Sequence, residues 1–109
     1  MVLKNKAEFE ECLHEASELE RRLEKVLDRS LTELYIDPNQ YIREYNNLLR
    51  TSLRLHENEP VEDIFSEMSS YEFTGDDKTD VVNTKQRLVE VYLRSAQLVA
   101  YLETALELG

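Results

Sequence analysis

Glu11, Cys12, Leu13 and His14 spell Glu-x-x-His. Helical carboxylate-bridged metal sites use this spacing, because residues three apart share one helix face. Such a site needs its ligands aimed into the bundle, with a second motif and two further carboxylates. On a helical wheel with Phe9 at zero, the apolar stripe runs from about 260° through zero to 40°. His14 falls near 140° and Glu11 near 200° on the same wheel, so both point away from the stripe. The next helix offers only Glu44, and His56 has Leu53, not a carboxylate, three residues before it. Glu11 and His14 are therefore expected on a solvated helix face, with no metal bound.

Other chemistry is thinner. Glu8, Glu11, Glu15 and Glu18 form a Glu-rich face, and magnesium needs several convergent oxygens. The helical pyrophosphohydrolases complete such a site with paired Glu and Asp on a partner helix. The partner helix here lacks that pair, so nothing of that activity is carried over. Cys12 lies on an apolar seam, where a cysteine behaves as a small buried apolar residue rather than a nucleophile. The chain has no Gly-rich phosphate loop and no Ser-His-Asp or Cys-His set. No catalytic residue and no cofactor is expected, and the chain is read as non-enzymatic.

The elements around these residues are helical. Leu, Glu, Arg and Ala dominate the 109 residues, and two glycines and two prolines are too few for a many-turned β fold. The length suits one domain, 1–109, with one modest core. Phe9, Cys12, Ala16, Leu19, Leu23, Val26 and Ser30 alternate steps of three and four, a heptad seam. They predict a first helix over about 6–34. Pro38 suits a first helical position, with Asp37 before it as N-cap and Gln40 at the capping-box position. A second helix is expected over about 38–56, folded back on the first, with Tyr41, Tyr45, Leu48, Leu49, Ser52, Leu53 and Leu55 inward. Arg43, Arg50 and Arg54 share its opposite face.

Pro60 opens a short third helix over about 60–70, with Val61, Ile64, Phe65 and Met68 at helical spacing. The run "SSYEFTGDDKT" reads as a loop, loose at 74–78. Asp80 or Thr79 caps a last helix over about 80–108. The expected fold class is all-α: an antiparallel bundle of two long helices with a broken middle helix. A four-helix bundle with a stubby third helix is the alternative.

The last helix carries more apolar surface than one neighbour can cover. Leu88, Tyr92, Ser95, Val99, Leu102 and Leu106 form one seam, and Val91, Leu98 and Ala105 extend its edge. Val89, Leu93, Ala96 and Ala100 form a second seam, about 110° away. That second seam serves either a neighbour in the same bundle or another chain, and it reads as a protein interface. An apolar strip of that length on a monomer invites aggregation.

Charge is just as uneven. The formal charge is -10, and residues 57–80 hold nine acids against Lys78 alone. This field opposes binding to nucleic acid. Asp76 and Asp77 are candidate docking residues for a basic partner. The most apolar run, Leu88 to Leu106, contains Glu90, Arg94, Gln97 and Glu103, which argues against a membrane span. The start, "MVLKNKAEFEE", has no signal-peptide pattern, so a cytoplasmic protein is expected. The function read from these features is an adaptor or assembly subunit that binds a protein partner or itself through the C-terminal helix. The alternative is an acidic inhibitor, immunity protein or secretion chaperone that masks a basic site on its partner.

Overall fold

The computed structural model describes residues 6–29, 36–55 and 66–108. Three helices make up most of it: α1 (Lys6–Arg29), α2 (Asn39–Leu55) and α3 (Asp77–Leu108). They pack side by side into a rod of 51 × 22 × 16 Å. No strand occurs among the described residues. The all-α bundle expected from composition and periodicity is the observed fold.

The heptad seam of α1 is its buried face. Phe9, Cys12, Ala16, Leu19, Leu23 and Val26 are all buried, and each fully buried Leu contributes about 1.5–3 kcal/mol of transfer free energy. From α2 come Tyr41, Ile42, Tyr45, Leu48, Leu49 and Ser52. Ile42 joins the expected set, while Leu53 and Leu55 pack at its margin. The Cys12 thiol donates to the Leu48 carbonyl at 3.9 Å, and Arg22 meets Glu44 at 3.1 Å, so α1 and α2 run antiparallel.

The start of α2 follows from three residues. The Asp37 carboxylate accepts from the Asn39 amide at 2.9 Å, filling the N-cap role. Pro38 has no amide to leave unsatisfied, and its carbonyl accepts from Tyr41 and Ile42 at 3.1 and 3.0 Å.

Residues 66–70 are not helical, which corrects the C-terminal part of the expected short helix. Its first part, with Val61, Ile64 and Phe65, lies outside the described residues, as do 30–34 and His56 from the expected helix ends. Residues 66–71 instead lie extended as a strap between α2 and α3. The strap runs against both helices: Met68 and Tyr71 pair with Asn46 and Asn39, and Ser66 and Ser69 with Arg94 and Arg87. Hence α3 is parallel to α2 and antiparallel to α1. The order is helix up, helix down, strap up, helix down.

The last helix starts at Asp77, about one turn earlier than expected. Asp76 is its N-cap, accepting from the Thr79 amide at 3.2 Å and from the Thr79 hydroxyl. Asp80, the expected cap, is 4% exposed and sits on the inward stripe with Thr84 and Leu88.

Candidate interaction surface

Six side chains hold the strap, and most of them grip its backbone. The Asn46 amide accepts from the Met68 N–H and donates to the Met68 carbonyl, both at 2.9 Å. Asn39 does the same for Tyr71, at 2.7 and 3.1 Å. Each primary amide stands in for a peptide group of a neighbouring strand. The spacing explains why two suffice. Seven helical residues rise about 10.5 Å, and three extended residues span about 10 Å. Asn39 and Asn46 therefore meet Tyr71 and Met68 in register.

The same match operates on α3. Arg94 donates to the Ser66 carbonyl at 3.0 Å, and Arg87 donates to the Ser69 carbonyl. Glu90 lies between the two arginines and pairs with both, at 2.9 and 3.3 Å, which fixes their direction. Met68 is the strap's one buried apolar side chain among 66–71. On the outer side Arg50 binds Glu67 and holds that carboxyl below its usual range, first through the hydrogen bond and then through its charge.

Asp80 gathers the far end of the strap. One carboxylate oxygen accepts from the Tyr71 hydroxyl at 2.6 Å, the Thr74 amide at 3.0 Å and the Thr74 hydroxyl at 3.1 Å. The other accepts from the Gly75 amide at 3.2 Å. Gly75 has φ of 88°, the left-handed region that a residue without a Cβ enters freely. The Thr74 amide, and then the Tyr71 hydroxyl, hold the Asp80 carboxyl below the usual carboxylate range. Residues 74–76, expected to be loose, are thus hydrogen-bonded to the start of α3.

The outer face of α3 is different. Leu88, Val91, Leu98, Val99 and Leu102 are buried against the other helices. Val82, Val89 and Leu93 are 54%, 43% and 55% exposed. Ala100 is exposed and Ala96 half-buried. Of the two seams read from the sequence, the core takes the one around Leu88 together with its Val91–Leu98 edge. Val89, Leu93, Ala96 and Ala100 lie on the outside, and Val82 continues their line by one more heptad.

The remaining residues singled out in the sequence lie apart from this face. Glu11 and His14 are exposed on α1. His14 borders an open cavity of about 390 Å³ between α1 and α2, with Glu15, Glu18, Arg22 and Glu44 on its walls. Among the described residues, no group of three or more His, Cys, Asp or Glu is placed to share a metal ion. Burial, and then the nearby charges of Glu15 and Glu11, push the Cys12 thiol up to about 11, so its nucleophilic thiolate is scarce at neutral pH. Asp76 and Asp77 are exposed, with Asp76 engaged as the helix cap. None of the described helices is long and apolar enough to cross a membrane.

Compared with family models, curated proteins and solved structures, the chain matches none.

Proposed function

We propose that this chain is a non-enzymatic protein-interaction module, an adaptor or assembly subunit that associates through the outer face of α3. The observation that carries the reading is the exposed line of Val82, Val89 and Leu93 on a helix whose other side is already seated in the core. Its side chains are β-branched or large, and they repeat at heptad spacing, as a helix-to-helix contact requires. An adaptor of this kind needs no reactive group. Cys12, the one cysteine, is buried, and a cytoplasmic setting is part of this reading.

The acidic-inhibitor alternative has less support. Among the acids at 67–80, Glu67 binds Arg50, Asp76 caps α3 and Asp80 is buried in the strap clamp. Such carboxylates are already committed within the chain.

Leu93→Glu tests the module. The substitution is on an exposed position, so stability should change by no more than about 0.5 kcal/mol. Sedimentation should show the wild type associated, with itself or with an added partner, and the variant alone. An associated Leu93→Glu protein with unchanged affinity would remove the outer face of α3 from the reading.

A further inference from the structure

We propose that the outer face of α3 pairs with the same face of a second copy, antiparallel, about a two-fold axis near Leu93. The inference rests on the module reading above and names its partner.

The face is graded along its length. Its middle is apolar, from Val89 through Leu93 and Ala96 to Ala100. Its N-terminal end carries Lys78, Val82 and Lys85, and its C-terminal end Glu103 and Glu107. At 100° per residue all nine positions fall within roughly 80° of the helix circumference. Lys78, Glu103 and Glu107 are exposed and Lys85 is half-buried. None of the four forms an ion pair within its own chain among the described residues.

This grading is complementary to its own reverse. In an antiparallel pair Leu93 meets its own copy and Val89 meets Ala96. Lys78 then faces Glu107, Lys85 faces Ala100, and Glu103 faces Val82 within a turn of Lys85. A parallel pair would set Lys78 against Lys78 and Glu107 against Glu107, which is repulsive. A contact in which the same patch serves both copies is the isologous arrangement expected of a two-fold dimer.

The helix dipole gives a second reason. A helix favours acids at its N-terminus and bases at its C-terminus. On its core side and in its cap α3 obeys this, with Asp76, Asp77 and Asp80 at the start, but no base occupies its last turn. On the outer face the order is inverted, with lysines early and glutamates late. That inversion is unfavourable in a lone helix and is relieved when an antiparallel neighbour brings its lysines to the glutamates.

Two experiments test the pairing with the full chain. The first is oxidation of single-cysteine additions, with the wild type as control because Cys12 is buried. Leu93→Cys should form a covalent dimer. Val89→Cys and Ala96→Cys should each remain uncrosslinked alone and should crosslink when mixed, since only the mixed pair comes within disulfide reach. Self-crosslinking of Val89→Cys and of Ala96→Cys would mean a parallel pair and overturn the antiparallel one.

The second is a charge swap followed by sedimentation equilibrium at low salt. Lys78→Glu with Lys85→Glu should weaken self-association roughly tenfold or more. Adding Glu103→Lys and Glu107→Lys restores the grading in reverse, and affinity should return to within a factor of about three. No recovery would overturn the charge register. A wild type that stays monomeric at roughly 100 μM would overturn the pairing itself. If Leu93→Glu then still abolished binding to a different protein, the module reading would survive without it.

Discussion

Of the segments that lie against α2, α1 and the strap are held there by different physics. On one side α1 lays down Phe9, Cys12, Ala16, Leu19, Leu23 and Val26, all buried. On the other, residues 66–71 bury Met68 and are otherwise held mostly by side chains that bond their backbone. The first contact is non-directional and tolerates small shifts, because apolar burial depends on area. The second depends on four groups at fixed positions, each two turns from its fellow on the same helix. Removing a buried side chain should therefore act on the whole fold, while removing an amide should act on the strap alone.

The largest effect should come from the apolar side. Leu19 is fully buried between the helices, and Leu19→Ala should destabilise the chain by about 2–5 kcal/mol through lost transfer free energy and the cavity left behind. A urea melt should show a lower midpoint with an unchanged slope. A loss under about 1 kcal/mol would mean that the seam collapses around the gap and is looser than its burial implies.

That seam is legible in the amino-acid sequence alone, and the reason is its period. Every buried residue of α1 lies on the three-four alternation starting at Phe9, so side-chain type and spacing are enough to find it. The start of α2 is legible for a local reason: Asp37, Pro38 and the following amide act within three residues. The strap is not legible. Asn39 and Asn46 look like ordinary polar positions on a helix, and Arg87, Glu90 and Arg94 like a solvated strip. Their partners are distant in sequence and become neighbours only when the chain doubles back. The one signal for it is a pair of matched seven-residue spacings, Asn39 to Asn46 and Arg87 to Arg94. Met68 at helical spacing with residues before it suggests a helix, and tertiary bonds to its backbone give an extended conformation at 66–70 instead.

The same logic explains Asp80. Read alone, an acid before an apolar run is an N-cap. The inward stripe of α3 begins at Asp80 and continues through Thr84, Leu88 and Val91, so Asp80 is turned to the interior and Asp76 takes the cap. For the outer face, periodicity supplies two seams and cannot choose between them. The choice comes from where α1 and α2 lie.

A smaller, local effect is expected from the amides. Asn39→Ala with Asn46→Ala removes four hydrogen bonds to the strap backbone. Both positions are half-buried, so water can replace part of what is lost, and the expected cost is about 1–2 kcal/mol per amide. Hydrogen exchange should show the Met68 and Tyr71 amides deprotected while the α1 amides keep their protection. Equal deprotection of α1 would show that the strap and the apolar core unfold as one unit.

Acid should divide the strap itself. The Asp80 carboxyl is held below its ordinary value, so its contribution is fully present above the unfolded carboxyl value of about 3.9 and fades as pH falls through the lowered folded value. The Asn amides do not titrate in that range. As pH is lowered from about 5 toward 2, the protection of the Thr74 and Gly75 amides should fall before that of Met68 and Tyr71. Loss of all four together would mean that Asp80 anchors the whole strap.

The smallest effect should come from charge at the surface. Glu67 and Arg50 are both exposed although they bond each other, and exposed pairs add little once their ordering entropy is counted. Glu67→Gln should therefore leave the strap where it is. Salt gives the same test without a mutation. At roughly 1 M salt the screening length is about 3 Å, which weakens the Arg50–Glu67 attraction and leaves the neutral amide-to-peptide bonds of Asn39 and Asn46 nearly untouched. The Met68 amide should show the same exchange protection at low and high salt. If high salt exposes it, the strap is held chiefly by the attraction of its acids to arginines, and an acidic segment that one set of arginines can release becomes available to another.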